Sequence, residues 1–435
     1  MRNLFYIILI FSIPFPKSSA QELLTLENAI EKCLENNFDL KIAKNEVRIA
    51  SENLSIGNAG MLPRVNGIIT NNNTILNIDQ TFANGENVEI DGAQNININY
   101  GVGLEWTIFD GFRMFARNKQ LKESLKLSES ELRVSILTRL SEVYETYFQL
   151  VNFQKQIQNI DSIISVSEFR LKTAQNRFTI GKASKLEVLN AEVDLNTDKS
   201  LRLTLQEQFQ IVKVQLNQLL VQPPQFDFKV DTKLVLDQTL KFDEINELAL
   251  QQNPKLQVQF INQKIQEYEL KQVKANRYPI VTLTSGYNLV RSQTPFGFVT
   301  ESTGRNINYG FTATLNIFDG FNQNRNEKVA KIQLENSQIL IEQQKQSIQS
   351  QVAVLFQSYL SGLALLDLEK QNENIAKQNL NITLEKFKIG SISTVEFRTA
   401  QENYTNAVMR LNNAELTVKL TEINLKELAG SLTVN

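Results

Sequence analysis

The sequence IFDGF at residues 108–112 occurs a second time at residues 317–321, and the rest of the chain can be placed relative to these two copies. Before each copy, apolar residues fall on every second position, which is the spacing of a half-buried β-strand. After each copy, apolar residues recur every three or four positions, which is the spacing of one helical face. Each copy is therefore predicted to join a strand to a long helix.

Two residue types in each copy suit such a junction. The carboxylates of Asp110 and Asp319 can cap a helix, because they accept hydrogen bonds from the free N–H groups of its first turn. Gly111 and Gly320 can turn the backbone sharply, because glycine has no Cβ to clash. We therefore predict strand–helix hinges at these four residues.

The first twenty residues have the composition of a secretory signal peptide. Arg2 is followed by an apolar run and by the small residues Ser18-Ser19-Ala20, which predicts cleavage before Gln21 and export of the mature chain. Because Gln21 is not a cysteine, no lipid anchor is predicted. No later stretch reads as a long uncharged apolar run, so further membrane contact is expected to use strands rather than helices.

An internal repeat organises the mature chain. The second hinge follows the first by 209 residues, and Leu62-Pro63 corresponds to Tyr278-Pro279 at an offset of 216 residues, the difference lying in one loop. We therefore predict a first repeat at residues 21–222, a linker with a small extended element at 223–240, and a second repeat at 241–435.

Each repeat contains the same predicted elements in the same order. A helical segment leads into a β-hairpin, whose strands are expected at about 64–75 and 95–109 in the first repeat and at about 280–291 and 305–318 in the second, with polar, solvated loops at 71–95 and 291–306. After the hinge, about 70 residues without proline predict one long helix, which turns and runs back. Helices of this length must pack along one another in a coiled-coil-like bundle.

The strands have one apolar face and one face of Asn, Thr and Gly. Leu104, Trp106 and Leu315 belong to the apolar face. One interpretation is a soluble α+β core, in which this face packs on a helix. The other is closure between several chains, because four strands are too few for a barrel; the apolar faces, with Leu104, Trp106 and Leu315, would then contact lipid.

The repeated hairpin, the repeated hinge and the Phe-x-Ile-Gly turns at 178–181 and 387–390 resemble the TolC family of outer-membrane efflux channels. The resemblance implies a mainly α fold with membrane β-structure: a homotrimer with a 12-strand outer-membrane β-barrel and a 12-helix periplasmic tunnel. It also implies an exit duct of a tripartite system in a Gram-negative cell. The expected partners are a periplasmic adaptor and an inner-membrane pump of RND, ABC or MFS type.

The turn between each long helix and its returning helix is the predicted periplasmic tip. It contains Gly181, Ser184 and Glu187 in the first repeat and Gly390, Ser393 and Glu396 in the second. By position, the two glutamates match the acidic tip residues of the family, which implies a pore constriction. Both also complete an S-x-x-E capping box, which explains them without a role in the pore. The places where some family members carry a further acidic residue or an arginine hold Asn190, Thr399 and Ile392.

The composition argues against an enzyme. The chain has no histidine and a single cysteine, Cys33, so the commonest general base and the usual zinc sites are missing, and no catalytic residue, cofactor or metal is predicted. A net charge of −2 argues against nucleic acid as a partner. The alternative function is an exported, non-conducting coiled-coil scaffold or a periplasmic adaptor.

Overall fold

A computed structural model describes residues 22–295 and 298–432, so the predicted signal peptide lies outside the described residues. These described residues are mainly helical and form one four-stranded and one two-stranded sheet. The elements, in order, are β1 (Glu22–Leu24), α1 (Leu26–Asn36), α2 (Phe38–Asn53), β2 (Arg64–Thr81), β3 (Asn87–Phe109), α3 (Arg113–Thr179), α4 (Lys185–Leu219), β4 (Phe228–Val230), α5 (Phe242–Gln252), α6 (Pro254–Ala275), β5 (Ile280–Gln293), β6 (Glu301–Thr314), α7 (Asn322–Lys388) and α8 (Thr394–Leu428).

The two repeats have matching helices. The long helices α3 and α7 each contain 67 residues, and the returning helices α4 and α8 each contain 35 residues. The leading segment of each repeat, which precedes its β-hairpin, consists of two helices, α1 and α2 or α5 and α6. The helices are separated at Asn37 or Asn253, whose side-chain oxygen accepts a hydrogen bond from a backbone N–H of the second helix. The segments end differently: α2 stops at Asn53 and is followed by a turn in which Gly60 has a φ of 90°, whereas α6 continues to Ala275.

The prediction of a loop at residues 71–95 is wrong, because most of this stretch belongs to the strands β2 and β3. β2 and β3 remain paired as far as Thr81 and Asn87, and only a short turn separates them. In this turn the Phe82 N–H donates to the Glu86 carbonyl at 2.8 Å, and Gly85 adopts a φ of 88°. The asparagines and acidic residues of this stretch indicated a loop, although Leu76 and Ile78, and then Val88 and Ile90, lie two residues apart as in a strand.

One described helix has the length and hydropathy to cross a bilayer, contrary to the sequence expectation. An 18-residue window of α7 reaches a mean hydropathy of 1.3 with at most two charged residues. Glutamine and serine residues interrupt its aliphatic residues, which concealed the run in the sequence.

The chain folds into two compact units, and each unit takes residues from both repeats. Among the described residues, the first unit contains 22–40, 136–248 and 351–432, and the second contains 41–135, 249–295 and 298–350. The first unit therefore includes both tip turns, and the second includes the four-stranded sheet and both hinges. The units do not coincide with the sequence repeats, because α3 and α7 each contribute to both.

The core of the first unit forms where α3 packs against the two-stranded parallel sheet of β1 and β4. Buried aliphatic and aromatic residues of α1, α3 and α4 fill this core. Tyr147 on α3 is 2% exposed, and its hydroxyl donates to the Leu24 carbonyl at 3.1 Å and accepts from the Asp231 N–H at 3.2 Å. Burial raises the pKa of Tyr147 to about 12. One hydroxyl thus holds the ends of β1 and β4 to α3.

We expect Tyr147→Phe to loosen β1 and β4. Without the hydroxyl, the Leu24 carbonyl and the Asp231 N–H lose a buried partner, which costs about 1–3 kcal/mol. Hydrogen exchange of peptides that contain the two strands should be faster in this variant. Tyr404→Phe is the control, because the half-buried Tyr404 hydroxyl makes no hydrogen bond within the described part of the chain. Equal exchange in the two variants would show that the Tyr147 hydroxyl holds nothing.

Candidate functional site

The four-stranded sheet of the second unit joins the two repeats. Its strand order is β2-β3-β5-β6, and every neighbouring pair is antiparallel. The junction between the repeats is the pairing of β3 with β5, in which Gly103 lies opposite Gly286 and Thr107 lies opposite Thr282. Among the described residues, the outer strands β2 and β6 each have one neighbouring strand, so each has one edge without a strand partner there.

The sheet has one apolar face and one polar face. Trp106 lies opposite Leu283, and Phe109 lies opposite Val281, so these four residues share one face. The same face contains Ile98, Tyr100, Val102, Leu104, Tyr287, Leu289, Ile307, Tyr309 and Phe311. The opposite face contains Asn97, Asn99, Gly101, Gly103, Thr282, Thr284, Gly286, Asn308 and Thr312. The alternation in the sequence thus produces a two-faced sheet.

The three residues predicted to contact lipid occupy different positions. Leu104 is half-buried and Trp106 is exposed on the apolar face, and the Trp106 indole N–H donates to the Met61 carbonyl at 2.9 Å. Leu315 is exposed but lies beyond β6, which ends at Thr314 rather than at residue 318. Thr314 pairs with Ile280, and Pro279 before Ile280 has no N–H with which to continue the ladder.

Both hinges have the same local geometry. The Asp110 carboxylate accepts a hydrogen bond from the Met114 N–H at 2.9 Å, and the Asp319 carboxylate accepts one from the Gln323 N–H at 2.7 Å. If Asp110 and Asp319 were N-caps, the helices would begin at the next residue, but α3 begins at Arg113 and α7 at Asn322. The delay arises because the residue after each hinge glycine also has a left-handed backbone. The φ angle is 69° at Gly111, 70° at Gly320, 67° at Phe112 and 64° at Phe321. Left-handed backbone is unfavourable for phenylalanine by about 1–2 kcal/mol, so each hinge is held by its surroundings.

The surroundings of the two hinge glycines differ. A Cβ on Gly111 would overlap the Ala275 carbonyl oxygen and lie 2.8 Å from the Tyr278 Cβ, so the end of α6 packs directly on the first hinge. A Cβ on Gly320 would meet only the Asn322 side chain, at 3.8 Å. The second hinge therefore has an unfilled side in a single chain.

The tip turns, in the first unit, also resemble each other. Gly181 and Gly390 have φ angles of 74° and 78°. Ser184 is the N-cap of α4, and its hydroxyl accepts a hydrogen bond from the Glu187 N–H at 3.2 Å. The Ser393 hydroxyl accepts one from the Glu396 N–H at the same distance. The serines therefore act as helix caps, as their spacing from the glutamates indicates.

The two tip glutamates have different environments. Glu187 is half-buried, and its carboxylate lies 3.6 Å from the guanidinium of Arg177. Glu396 is exposed and takes part in no ion pair among the described residues. The position equivalent to Arg177 is Lys386. The negative charge of the first turn is thus partly balanced within the chain, and that of the second is open to solvent.

A buried polar network connects three helices beyond the tip turns, and the sequence did not predict it. Asp198 on α4 accepts hydrogen bonds from the Ser167 hydroxyl of α3 at 2.5 Å and from the Arg398 guanidinium of α8 at 3.1 Å. The Gln401 amide of α8 donates to the Ser167 hydroxyl at 2.5 Å. Ser167, Asp198 and Gln401 are at most 5% exposed. The two returning helices are thus joined through polar groups.

Carboxylates surround the arginine of this network. Burial alone would lower the pKa of Arg398, but Asp198, Glu402 and Asp194 hold it above the ordinary value. Asp194 also pairs with Arg170 of α3 at 2.6 Å. The repeat could not reveal the network, because the positions equivalent to Asp198 and Arg398 hold Ala407 and Leu189. The available signal was Asp194 and Asp198, four residues apart on an otherwise apolar helical face.

We expect Arg398→Leu to destabilise the first unit by about 3–5 kcal/mol, because it leaves the buried Asp198 carboxylate without a cation. Arg202→Leu is the control, since its partner Asp161 is exposed and such pairs contribute about 0–1 kcal/mol. The free energy of unfolding in urea measures both effects.

The double variant Asp198→Leu/Arg398→Leu should recover part of the loss, because no buried charge then remains unpaired. Equal losses in Arg398→Leu and Arg202→Leu would contradict a structural role for the network.

The described residues offer no site for a metal ion. No group of three or more His, Cys, Asp or Glu residues among them is placed to hold one. Cys33 is buried, and this burial raises its pKa to about 11. The candidate functional features are therefore the two-faced sheet, the hinges and the tip turns.

Comparison of the sequence with protein families finds one match across both repeats. The model of the family described as Outer membrane efflux protein matches residues 29–221 and 245–431. The Outer membrane protein TolC of Escherichia coli is 20% identical over 431 residues, which cover 95% of this chain and 84% of that protein. The Pyoverdine export outer membrane protein OpmQ of Pseudomonas aeruginosa is 26% identical over 201 residues, 46% of this chain; the match spans 42% of the length of that relative.

Comparison with solved structures finds the same fold. The outer membrane channel CmeC of Campylobacter jejuni has a TM-score of 0.77 and 18% identity, covering 99% of this chain and 94% of that chain. The open state of the outer membrane channel MtrE of Neisseria gonorrhoeae has a TM-score of 0.74 and 16% identity, covering 94% and 91%.

Proposed function

This chain belongs to the outer membrane efflux protein family, and we propose that three copies of it close their sheets into one twelve-stranded barrel. Proteins of this family are exit ducts of efflux systems, so the chain is an outer-membrane duct that extends into the periplasm. Family membership sets aside the alternative of a non-conducting scaffold or adaptor. The family consists of channels rather than enzymes.

The observation that carries the proposal is the pair of free strand edges. In lipid, a strand edge has no water to satisfy its N–H and C=O groups, and each unsatisfied group costs several kcal/mol. One chain supplies four strands and leaves one edge of β2 and one edge of β6 without a strand partner. Pairing β6 of one copy with β2 of the next satisfies both edges, and three copies give twelve strands.

The repeat specifies how these edges would pair. Gly103 on β3 lies opposite Gly286 on β5, and the equivalent positions in the other repeat are Thr312 on β6 and Thr70 on β2. If the junction between copies repeats the junction within a chain, Thr312 lies opposite Thr70 of the adjacent copy. Ala59 of the adjacent copy, in the turn that follows α2, would then fill the open side of Gly320, as Ala275 at the end of α6 does at Gly111.

We expect a chain carrying Thr312→Cys and Thr70→Cys, in a Cys33→Ser background, to form disulfides between copies in isolated outer membranes. Directly opposite residues have Cα atoms about 4.5–5.5 Å apart, within the range of a disulfide. Each copy would link to both neighbours, so a covalent trimer should appear on a non-reducing gel.

The pair Thr312→Cys and Asn66→Cys is the control, because Asn66 lies four residues further along β2, or about 13 Å away. Absence of covalent trimer from the first pair, with the protein present in the membrane, would contradict this arrangement of the barrel.

The two faces of the sheet fit opposite sides of such a barrel. The apolar face, with Leu104 and Trp106, would contact lipid, and the face of Asn, Thr and Gly would line a wet lumen. The helices beyond the hinges would line the periplasmic part of the duct. A periplasmic adaptor and an inner-membrane pump of RND, ABC or MFS type are the proposed partners, and the pump would supply the energy for transport through a passive duct.

We also propose that Glu187 and Glu396 make the periplasmic end of the duct selective for cations. Three copies would bring six of these carboxylates together. Glu396 would contribute most of the negative potential, because the charge of Glu187 is partly balanced by Arg177 of the same chain. The capping function of the turns involves the backbone N–H of each glutamate and is compatible with this role.

We expect reconstituted channels of Glu187→Gln/Glu396→Gln to lose most of their cation preference, measured as the reversal potential in a salt gradient. Thermal stability should change little, because glutamine keeps the backbone N–H that donates a hydrogen bond to each serine hydroxyl. Glu396→Gln alone should produce the larger share of the loss, and Glu187→Gln is its matched control. Unchanged selectivity in the double variant would reduce both residues to helix caps.

A further inference from the structure

We propose that a groove beside the first hinge binds the headgroup phosphate of an anionic phospholipid in the periplasmic leaflet of the outer membrane. The groove lies between the start of α3 and the end of α6, and its volume is about 420 Å³. The inference rests on the proposed insertion of the sheet into that membrane, because only then is the groove at the level of lipid headgroups.

The charge of the groove is entirely positive. Lys119 of α3 and Lys271 and Lys274 of α6 line it, and no carboxylate does. None of the three ammonium groups forms an ion pair with a described carboxylate. The Lys271 ammonium lies 4.9 Å from the centre of the Tyr268 ring, which also lines the groove. Three ammonium groups outside any such ion pair, each with three N–H donors, favour an anion with several acceptor oxygens.

Aromatic side chains connect the groove to the apolar face of the sheet. Phe109 lies opposite Val281 on that face, and its ring centre is 5.4 Å from that of Phe112. The Phe112 ring is 6.2 Å from the Phe115 ring, and both line the groove while remaining more than half exposed. The groove is therefore continuous with the side of the sheet that would contact lipid. Exposed aromatic residues at the end of a membrane strand are typical of the membrane–water interface.

A lipid explains the whole groove better than a free phosphate ion does. An inorganic phosphate would use the lysines but would leave Phe112 and Phe115 exposed to water. A phospholipid places its phosphate among the ammonium groups and its acyl chains along the aromatic residues and the apolar face. Basic pockets beside membrane-spanning elements bind anionic headgroups by this combination.

The groove is specific to the first hinge. The positions equivalent to Lys271 and Lys274 hold Ser55 and Asn58, and the position equivalent to Phe115 holds Asn324. Only Lys119 has a basic counterpart, Lys328. The fold of a hinge therefore requires neither the three lysines nor the pair of Phe112 and Phe115. A trimer would carry three such sites rather than six.

The test is a titration of the purified full-length protein in mild detergent with dihexanoyl phosphatidylglycerol, followed by native mass spectrometry. We expect up to three lipids for each trimer. Their affinity should fall roughly tenfold or more in Lys119→Gln/Lys271→Gln/Lys274→Gln. The control Arg325→Gln/Lys328→Gln/Lys331→Gln removes the same charge near the second hinge and should leave the affinity unchanged. Dihexanoyl phosphatidylcholine should bind weakly, and inorganic phosphate should not displace the bound lipid at equal concentration.

Three results would overturn the inference: unchanged affinity in the groove variant, an equal loss in the control variant, or displacement of the lipid by inorganic phosphate. The same spectra report the number of chains in each particle. A trimeric groove variant that keeps its lipid affinity contradicts the lipid site alone. A wild-type protein that is not trimeric contradicts the proposed function instead.

Discussion

The hydrogen-bonding requirement of a strand edge is the constraint on which the proposed function depends. Two-faced antiparallel strands can enter lipid only if every backbone N–H and C=O is paired, and four strands leave two edges open. Charged residues or proline protect strand edges in soluble proteins, but on these edges the charge or the interrupted strand would be exposed to lipid. In the proposed barrel, β6 and β2 of different copies repeat the pairing that β3 and β5 make within one chain.

The two repeats share a backbone design but differ in the side chains around it. Gly111 is packed against the end of α6, whereas Gly320 has an open side. Glu187 lies close to Arg177, whereas Glu396 is solvated. Such differences are expected when junctions within one chain alternate with junctions between chains, because the two kinds of junction meet different neighbours. In the proposed trimer, a feature present in only one of the two repeats, such as the proposed lipid groove, would occur three times.

Much of the fold could be predicted from the sequence, because its strongest signals are periodic and occur twice. The change in the spacing of apolar residues, from two to three or four, predicted where strands end and long helices begin. The long helices begin and end within about three residues of the expected positions. The extended hairpin was missed, since asparagine and acidic residues between Thr70 and Ala93 hid a strand alternation. The network around Asp198 was missed because it joins helices far apart in the chain and occurs once.

The central claim is that three chains close one barrel around a lumen. Electron cryomicroscopy of the protein extracted from outer membranes and held in lipid nanodiscs tests this claim most directly. We predict particles with threefold symmetry and a hollow lumen that crosses the lipid disc and continues into a helical tube. Single chains beside the disc, or a closed particle without a lumen through the lipid, would contradict it.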